Sequence, residues 1–369
     1  MSKGIYIAAT NQHIGKTTTT LGLIAVLMAK GINVGYCKPM GQRYVYRDGM
    51  KIDKDAALFA DMMGFTLNDK WHSPVIMDGG DSVRYLNKPE PKAIFDKLDY
   101  AAYHLHQQHD IVVYEGTGHP GVGSVFDFSN ADVAKRLNLP VILVVKGGIG
   151  NTIDQLNVCR QFFEQIGVPI AGVIVNKVMV KKMDKVQRAL QQYFDRNKLE
   201  LLGLIPFAEE LAYPMLSTIK KIIEADVLNG FDQLHNLVED IIAGSLVDKD
   251  ELNMNKKYLL VVSARRLTAA LSKLRQLWTI SNSLPNLTGV VLTGDALISQ
   301  ENLGFLRRHN IPTLHTHYDT YESVIKISQL NVKINAQAPQ KIKRATELFE
   351  KHVNIKRITE IIMQNNRTK

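Results

Sequence analysis

The feature that most constrains this chain is Thr10-Asn11-Gln12-His13-Ile14-Gly15-Lys16-Thr17, which follows the apolar run Gly4-Ile5-Tyr6-Ile7-Ala8-Ala9 and opens a helical pattern over 17–30. With Thr10 in place of the first glycine, it fits the P-loop pattern. A loop that joins a strand to a helix N-terminus aims successive backbone N–H groups at one point, where the helix dipole favours an anion. Gly15 lets the backbone approach phosphates closely, Lys16 can reach the β- and γ-phosphates, and the Thr17 hydroxyl is the expected magnesium ligand. The loop from Thr10 to Thr18 is therefore expected to hold a nucleoside triphosphate with Mg2+, and ATP is the expected nucleotide. A fold that presents such a loop is α/β, with a mostly parallel sheet and helices on both faces.

The rest of the chain agrees with that fold. Apolar runs at 5–10, 34–39, 111–115, 141–146, 170–176 and 201–206 alternate with helical patterns at 55–63, 91–108, 152–166 and 185–197. Several runs, such as Val141-Ile142-Leu143-Val144-Val145, lack alternation, as expected of strands covered on both faces. A helix is predicted over 231–243, then a polar linker over 247–257. A second, smaller α/β pattern follows, with two short helices at the end of the chain. The expected domains are 1–228, a helix and linker at 229–257, a small α/β domain at 258–338, and a helical tail at 339–369.

A P-loop needs a carboxylate near its metal. Asp110-Ile111-Val112-Val113-Tyr114-Glu115-Gly116 is an apolar strand ending in an acid, so Glu115 should face the phosphates, as ligands sit at the carboxyl ends of open parallel sheets. Asp55 opens the helix after the second strand and is a further metal-ligand candidate. Lys38, at the end of that strand, can hold an anionic group or stabilise charge on a transferred phosphoryl group. Asn176-Lys177 ends the fifth strand where a base could be read. Lys16, Lys38 and Glu115 are the candidate catalytic set.

Together, Thr10 to Thr17, Lys38-Pro39, Asp55-Ala56 and Glu115-Gly116 resemble the dethiobiotin synthetase branch of P-loop proteins, over about 225 residues. The resemblance implies ATP, Mg2+ and phosphorylation of a carboxylate or carbamate; cobyrinic acid a,c-diamide synthase is related. The acidic loop of dethiobiotin synthetase reads Asn11-Gln12-His13 here, so biotin synthesis is not expected. The domain order, with Ser73-Pro74-Val75, Arg84-Tyr85-Leu86, Gly203-Leu204-Ile205-Pro206 and Gly289-Val290-Val291-Leu292-Thr293-Gly294, is similar to the N-terminal region of long bacterial phosphate acetyltransferases. The small domain resembles the DRTGG domain. No acetyltransferase catalytic domain follows Lys369, so acetyl transfer is not expected.

The net charge of +9 could suggest nucleic acid. Residues 340–369 hold eight Lys/Arg against three acids, +5 of that excess, and no basic groove appears elsewhere. No nucleic-acid partner is expected. Two cysteines, no signal peptide and no run of 18 apolar residues point to a cytoplasmic protein without a membrane partner. Family habit implies a homo-oligomer. Two functions remain: a regulatory, nucleotide-sensing Mg-ATP module with a small anionic ligand or protein partner, or an ATP-dependent ligase that activates a small carboxylate or carbamate.

Overall fold

The computed structural model describes residues 4–244, 256–281, 286–330, 332 and 334–365. The chain divides into two compact units, Met1–Ala208 with Ile334–Lys369, and Glu209–Lys333.

The first unit is built on six strands, β1 (Gly4–Ala9), β2 (Val34–Cys37), β3 (Ile111–Glu115), β4 (Val141–Lys146), β5 (Ile170–Val178) and β6 (Leu201–Pro206), all parallel, in the order β6-β5-β4-β1-β3-β2. Every residue of β1, β2 and β3 is buried, which explains why these strands read as continuous apolar runs. Among the helices are α1 (Lys16–Ala29), α2 (Lys54–Met63), α3 (Pro91–Gln108), α4 (Asn130–Leu137), α5 (Gly150–Ile166) and α6 (Met183–Arg196). The chain leaves β1 for β2, returns to place β3 between them, and then crosses to β4 on the far side of β1. The crevice at this reversal is where α/β sheets take ligands. It lies between the loop after β1 and the end of β3.

The second unit holds a five-stranded sheet in the order Asp226–Asn229, Thr313–Thr316, Asn286–Thr293, Lys257–Ser263, Asp240–Ala243. The Asp226–Asn229 strand runs antiparallel to its neighbour, and the other four are parallel. Leu267, Leu271, Leu274 and Leu306 cover one face, and Leu216, Ile219, Ile223 and Ile327 cover the other.

Three expectations are corrected. The helix predicted over 231–243 is a short turn at Phe231–Gln233 followed by the strand Asp240–Ala243, which pairs with Lys257–Ser263. Leu234, Leu237, Val238, Ile241 and Ile242 recur at helical spacing, yet the open edge of a parallel sheet captures the β-branched end of the segment. The first unit ends at Ala208 instead of near residue 228, because Leu216–Ile222 and Asp226–Asn229 pack into the second sheet. The helices α7 (Pro339–His352) and α8 (Ile355–Gln364) belong to the first unit, where Asn354 N donates to Leu202 O at 2.7 Å and Arg357 forms a bidentate pair with Glu200 at 2.6 and 2.9 Å. The polar stretch expected as a linker lies mostly outside the described residues, at 245–255.

Candidate functional site

The loop after β1 is shaped by its own backbone and by the end of β5. Thr10, where the pattern has glycine, is buried, and its N–H donates to Val144 O at 3.1 Å. Asn11, Gln12 and His13 are exposed, with His13 in the left-handed region at φ 60°. Ile14 turns inward and Gly15 takes φ 103° just before α1 begins at Lys16, while Thr18 is half-buried in the first turn. Gly15 is required twice over. Its φ disfavours any side chain, and a Cβ there would lie 2.2 Å from Asn176 Nδ2. That nitrogen donates to Ile14 O at 2.9 Å, and Lys177 Nζ donates to His13 O at 2.7 Å. Asn176 and Lys177 thus brace the loop from the end of β5, two strands away in the sheet. Burial, with Lys146 nearby, lowers the Lys177 ammonium from its ordinary value.

The register of β3 on β1 sets Glu115 opposite Ile7, and Glu115 is fully buried. Thr17 Oγ1 donates to Glu115 Oε1 at 2.8 Å. Lys38 Nζ meets the same oxygen at 3.1 Å, Asp55 Oδ2 at 3.0 Å and Gly116 O at 3.0 Å, which uses all three ammonium hydrogens. Tyr36 donates its hydroxyl to Glu115 Oε2 at 3.4 Å. A buried charge without partners is costly, and this cluster meets the cost by mutual pairing. Burial alone would lower the Lys38 ammonium, but Glu115, Asp55 and Asp53 hold it well above the ordinary lysine value. Asp53 caps α2 by accepting from Asp55 N at 2.8 Å, and burial raises its carboxyl to about 6 against the pull of Lys38. The hairpin Tyr44–Arg47 and Met50–Asp53 delivers Asp53 and starts α2.

Lys16 Nζ donates to Gly118 O at 3.0 Å, so both lysines rest on carbonyls of the turn after β3. Asn130 shapes that turn from beneath. Its Oδ1 accepts from Tyr6 at 2.8 Å and Thr117 N at 2.9 Å, and its Nδ2 donates to Thr117 O at 2.8 Å and His119 O at 2.6 Å. The Thr117 hydroxyl donates to Met40 O.

Among the described residues, no group of three or more His, Cys, Asp or Glu side chains is arranged to hold a metal ion. That is no obstacle to Mg2+, which commonly takes one or two carboxylates and completes its shell with phosphate oxygens and water. The Thr17 hydroxyl with the Glu115 and Asp55 carboxylates is a hard-oxygen set of this kind. The Lys38 ammonium lying between the two acids shows that the pair accommodates a cation.

The structure thus brings together Lys16, Thr17, Lys38, Asp55 and Glu115, with Asn176 and Lys177 behind the loop. Three residues escaped sequence reasoning. Asp53 was signalled by its position two before Asp55 at a helix start. Asn130 sits inside the capping box Ser129 to Asp132, a legible helix start whose functional contact is not local. Tyr36 gave no signal, since a tyrosine in an apolar strand reads as core.

The AAA domain family model (AAA_26) matches residues 3–215, and the DRTGG domain model matches 218–330. Phosphate acetyltransferase of Nitratidesulfovibrio vulgaris is 24% identical over 365 residues, covering 96% of this chain and 51% of that protein. The chain spans about half the length of the acetyltransferases it matches. The ATP-dependent dethiobiotin synthetase BioD of Clostridium kluyveri is 29% identical over 182 residues, 48% of this chain and 75% of that one. Among solved structures, the MinD cell division protein of Aquifex aeolicus covers 56% of this chain and 84% of its own at 16% identity, with a TM-score of 0.37. No helix among the described residues is long and apolar enough to cross a membrane. The chain belongs to the AAA_26 family of AAA domains, in its dethiobiotin synthetase-like P-loop form, and joins that domain to a DRTGG domain as in the N-terminal region of phosphate acetyltransferases.

Proposed function

We propose that this chain binds Mg-ATP at the loop 10–18 and acts as a nucleotide-sensing module of the kind joined to phosphate acetyltransferases. The observation that carries this reading is the convergence of Thr17 Oγ1 and Lys38 Nζ on Glu115 Oε1, at 2.8 and 3.1 Å, beside the exposed loop. Backbone N–H groups at the start of α1 would receive the phosphates, with Lys16 on the β- and γ-oxygens. Thr17, Glu115 and Asp55 would hold Mg2+, which would neutralise phosphate charge when bound. Lys38 would face the terminal phosphate or an acidic ligand next to it. The base would lie over Asn176 and Lys177. Similarity to phosphate acetyltransferases across nearly the whole chain supports the sensing role.

A ligase reading has its own support. A sensor needs only to bind, yet Lys38 is held on Asp55 and Glu115, and Lys16 rests on the same turn through Gly118 O, a set that phosphoryl transfer to a carboxylate or carbamate would use. Phosphate release from Mg-ATP, measured alone and with a panel of small carboxylates and diamines, separates the two. The sensing role predicts binding with no panel member stimulating turnover. Turnover that needs one member and vanishes in Lys16→Ala would make the chain a ligase.

A further inference from the structure

Lys16 and Lys38 come from different elements but rest on the same short turn, through Gly118 O and Gly116 O, each at 3.0 Å. A turn that holds two flexible cations must itself be held. Gly116 N continues the sheet by donating to Ile7 O at 2.9 Å, which fixes one end. Beyond it the chain leaves the sheet, with Gly118 at φ 60°. The Thr117 hydroxyl anchors the turn to Met40 O, and the other constraint comes from one side chain. Asn130 is buried, its amide bonds to Thr117 N, Thr117 O and His119 O, and its N–H donates to Pro120 O at 3.1 Å. Asn130 is itself placed by the capping box, in which Ser129 N donates to Asp132 Oδ2 at 2.8 Å and Asp132 N donates to Ser129 Oγ at 3.2 Å. The Tyr6 hydroxyl, at 2.8 Å from Oδ1, orients the amide.

We propose that Asn130 is the positioning residue of the phosphate site, holding the 116–120 turn so that its carbonyls keep Lys16 and Lys38 aimed where the terminal phosphate would bind. This rests on the reading of the loop as a nucleotide site. Asn130 bonds to Tyr6 and to the turn, and acts through the turn. All four hydrogen-bonding directions of its amide are used, so no other side chain of similar size can replace it. The substitution Asn130→Asp would turn two donors into acceptors facing the carbonyls of Thr117 and His119, and that repulsion would open the turn.

Calorimetric titration of ATP and of ADP, each with Mg2+, tests this with wild type, Asn130→Asp and Tyr6→Phe. On the reading that Lys38 faces the terminal phosphate, which ADP lacks, losing its aim should weaken ATP more than ADP. Asn130→Asp is expected to weaken ATP about tenfold or more, with a much smaller change for ADP, so that discrimination between them collapses. Tyr6→Phe, which keeps the amide but frees its orientation, should fall between. Equal weakening of both nucleotides with a lowered melting temperature would mean that Asn130 is merely structural, and would overturn the proposal. Unchanged affinities would overturn it too. A wild type that binds neither nucleotide would defeat the nucleotide reading itself and this inference with it.

Discussion

Phe349 of α7 packs directly on Gly22 of α1, the helix that follows the phosphate loop; a Cβ on Gly22 would lie 2.5 Å from Phe349 Cβ. The tail helix is thus seated on α1 at a point where only glycine leaves room. A second such seat is Gly203 of β6, where a Cβ would lie 2.3 Å from His352 O. Gly22→Ala would gain up to about 1 kcal/mol of helix propensity. Overpacking against a ring stem that cannot swing away costs about 1–3 kcal/mol, so the net effect should be destabilising. Phe349→Ala, which empties a fully buried site, should cost roughly 3–5 kcal/mol. Chemical denaturation checks both, and hydrogen exchange should show α7 losing protection in each variant.

Lys38→Met should expose the strain in the acid cluster. Removing the ammonium leaves Glu115 and Asp55 buried without their shared cation, a loss of roughly 3–5 kcal/mol. The Thr17 and Tyr36 hydroxyls still bond Glu115, which keeps the site from collapsing. Millimolar Mg2+ or Mn2+ should then raise the melting temperature of the variant more than that of wild type. An equal response in both proteins would argue against Asp55 and Glu115 as metal ligands.

His72 gives the fold a defined acid sensitivity. It is buried against Phe65 with ring centroids 4.4 Å apart, its Nδ1 accepts from Asn68 N at 3.0 Å, and burial lowers it from 6.5 to about 4. The unfolded chain therefore takes up a proton at a higher pH than the folded one. Stability from the neutral ring is fully present above about pH 6.5 and is lost as pH falls through 4. The loss is on the order of 3 kcal/mol. His72→Gln, which does not titrate, should show a flatter stability profile across that window by denaturant titration at several pH values. His72 O also accepts from Lys38 N at 2.8 Å, so acid unfolding here should disturb the end of β2 early.

The first unit was legible because its strands are apolar on both faces and its helices are long and periodic; β3, β4 and β6 fall where the pattern places them. Lys16, Thr17, Lys38, Asp55 and Glu115 were legible because each sits at the end of a strand or the start of a helix, where chain order and sheet geometry leave few directions to face. What depends on distant pairing was hidden. Asn130 finds Tyr6 across 124 residues, and the fate of 231–243 was decided by an edge that only the folded sheet provides. The tail helices read correctly as helices, but nothing local to them names Gly22 and Gly203 as their seats.

The most direct measurement is calorimetric titration of Mg-ATP into wild type and Lys16→Ala. Lys16 carries the charge that the loop adds to its backbone donors, so the wild type should bind with saturable heat and the variant should be weaker by at least about tenfold. Equal binding by both, or none by the wild type, would contradict the assignment of the loop 10–18 as a nucleotide site.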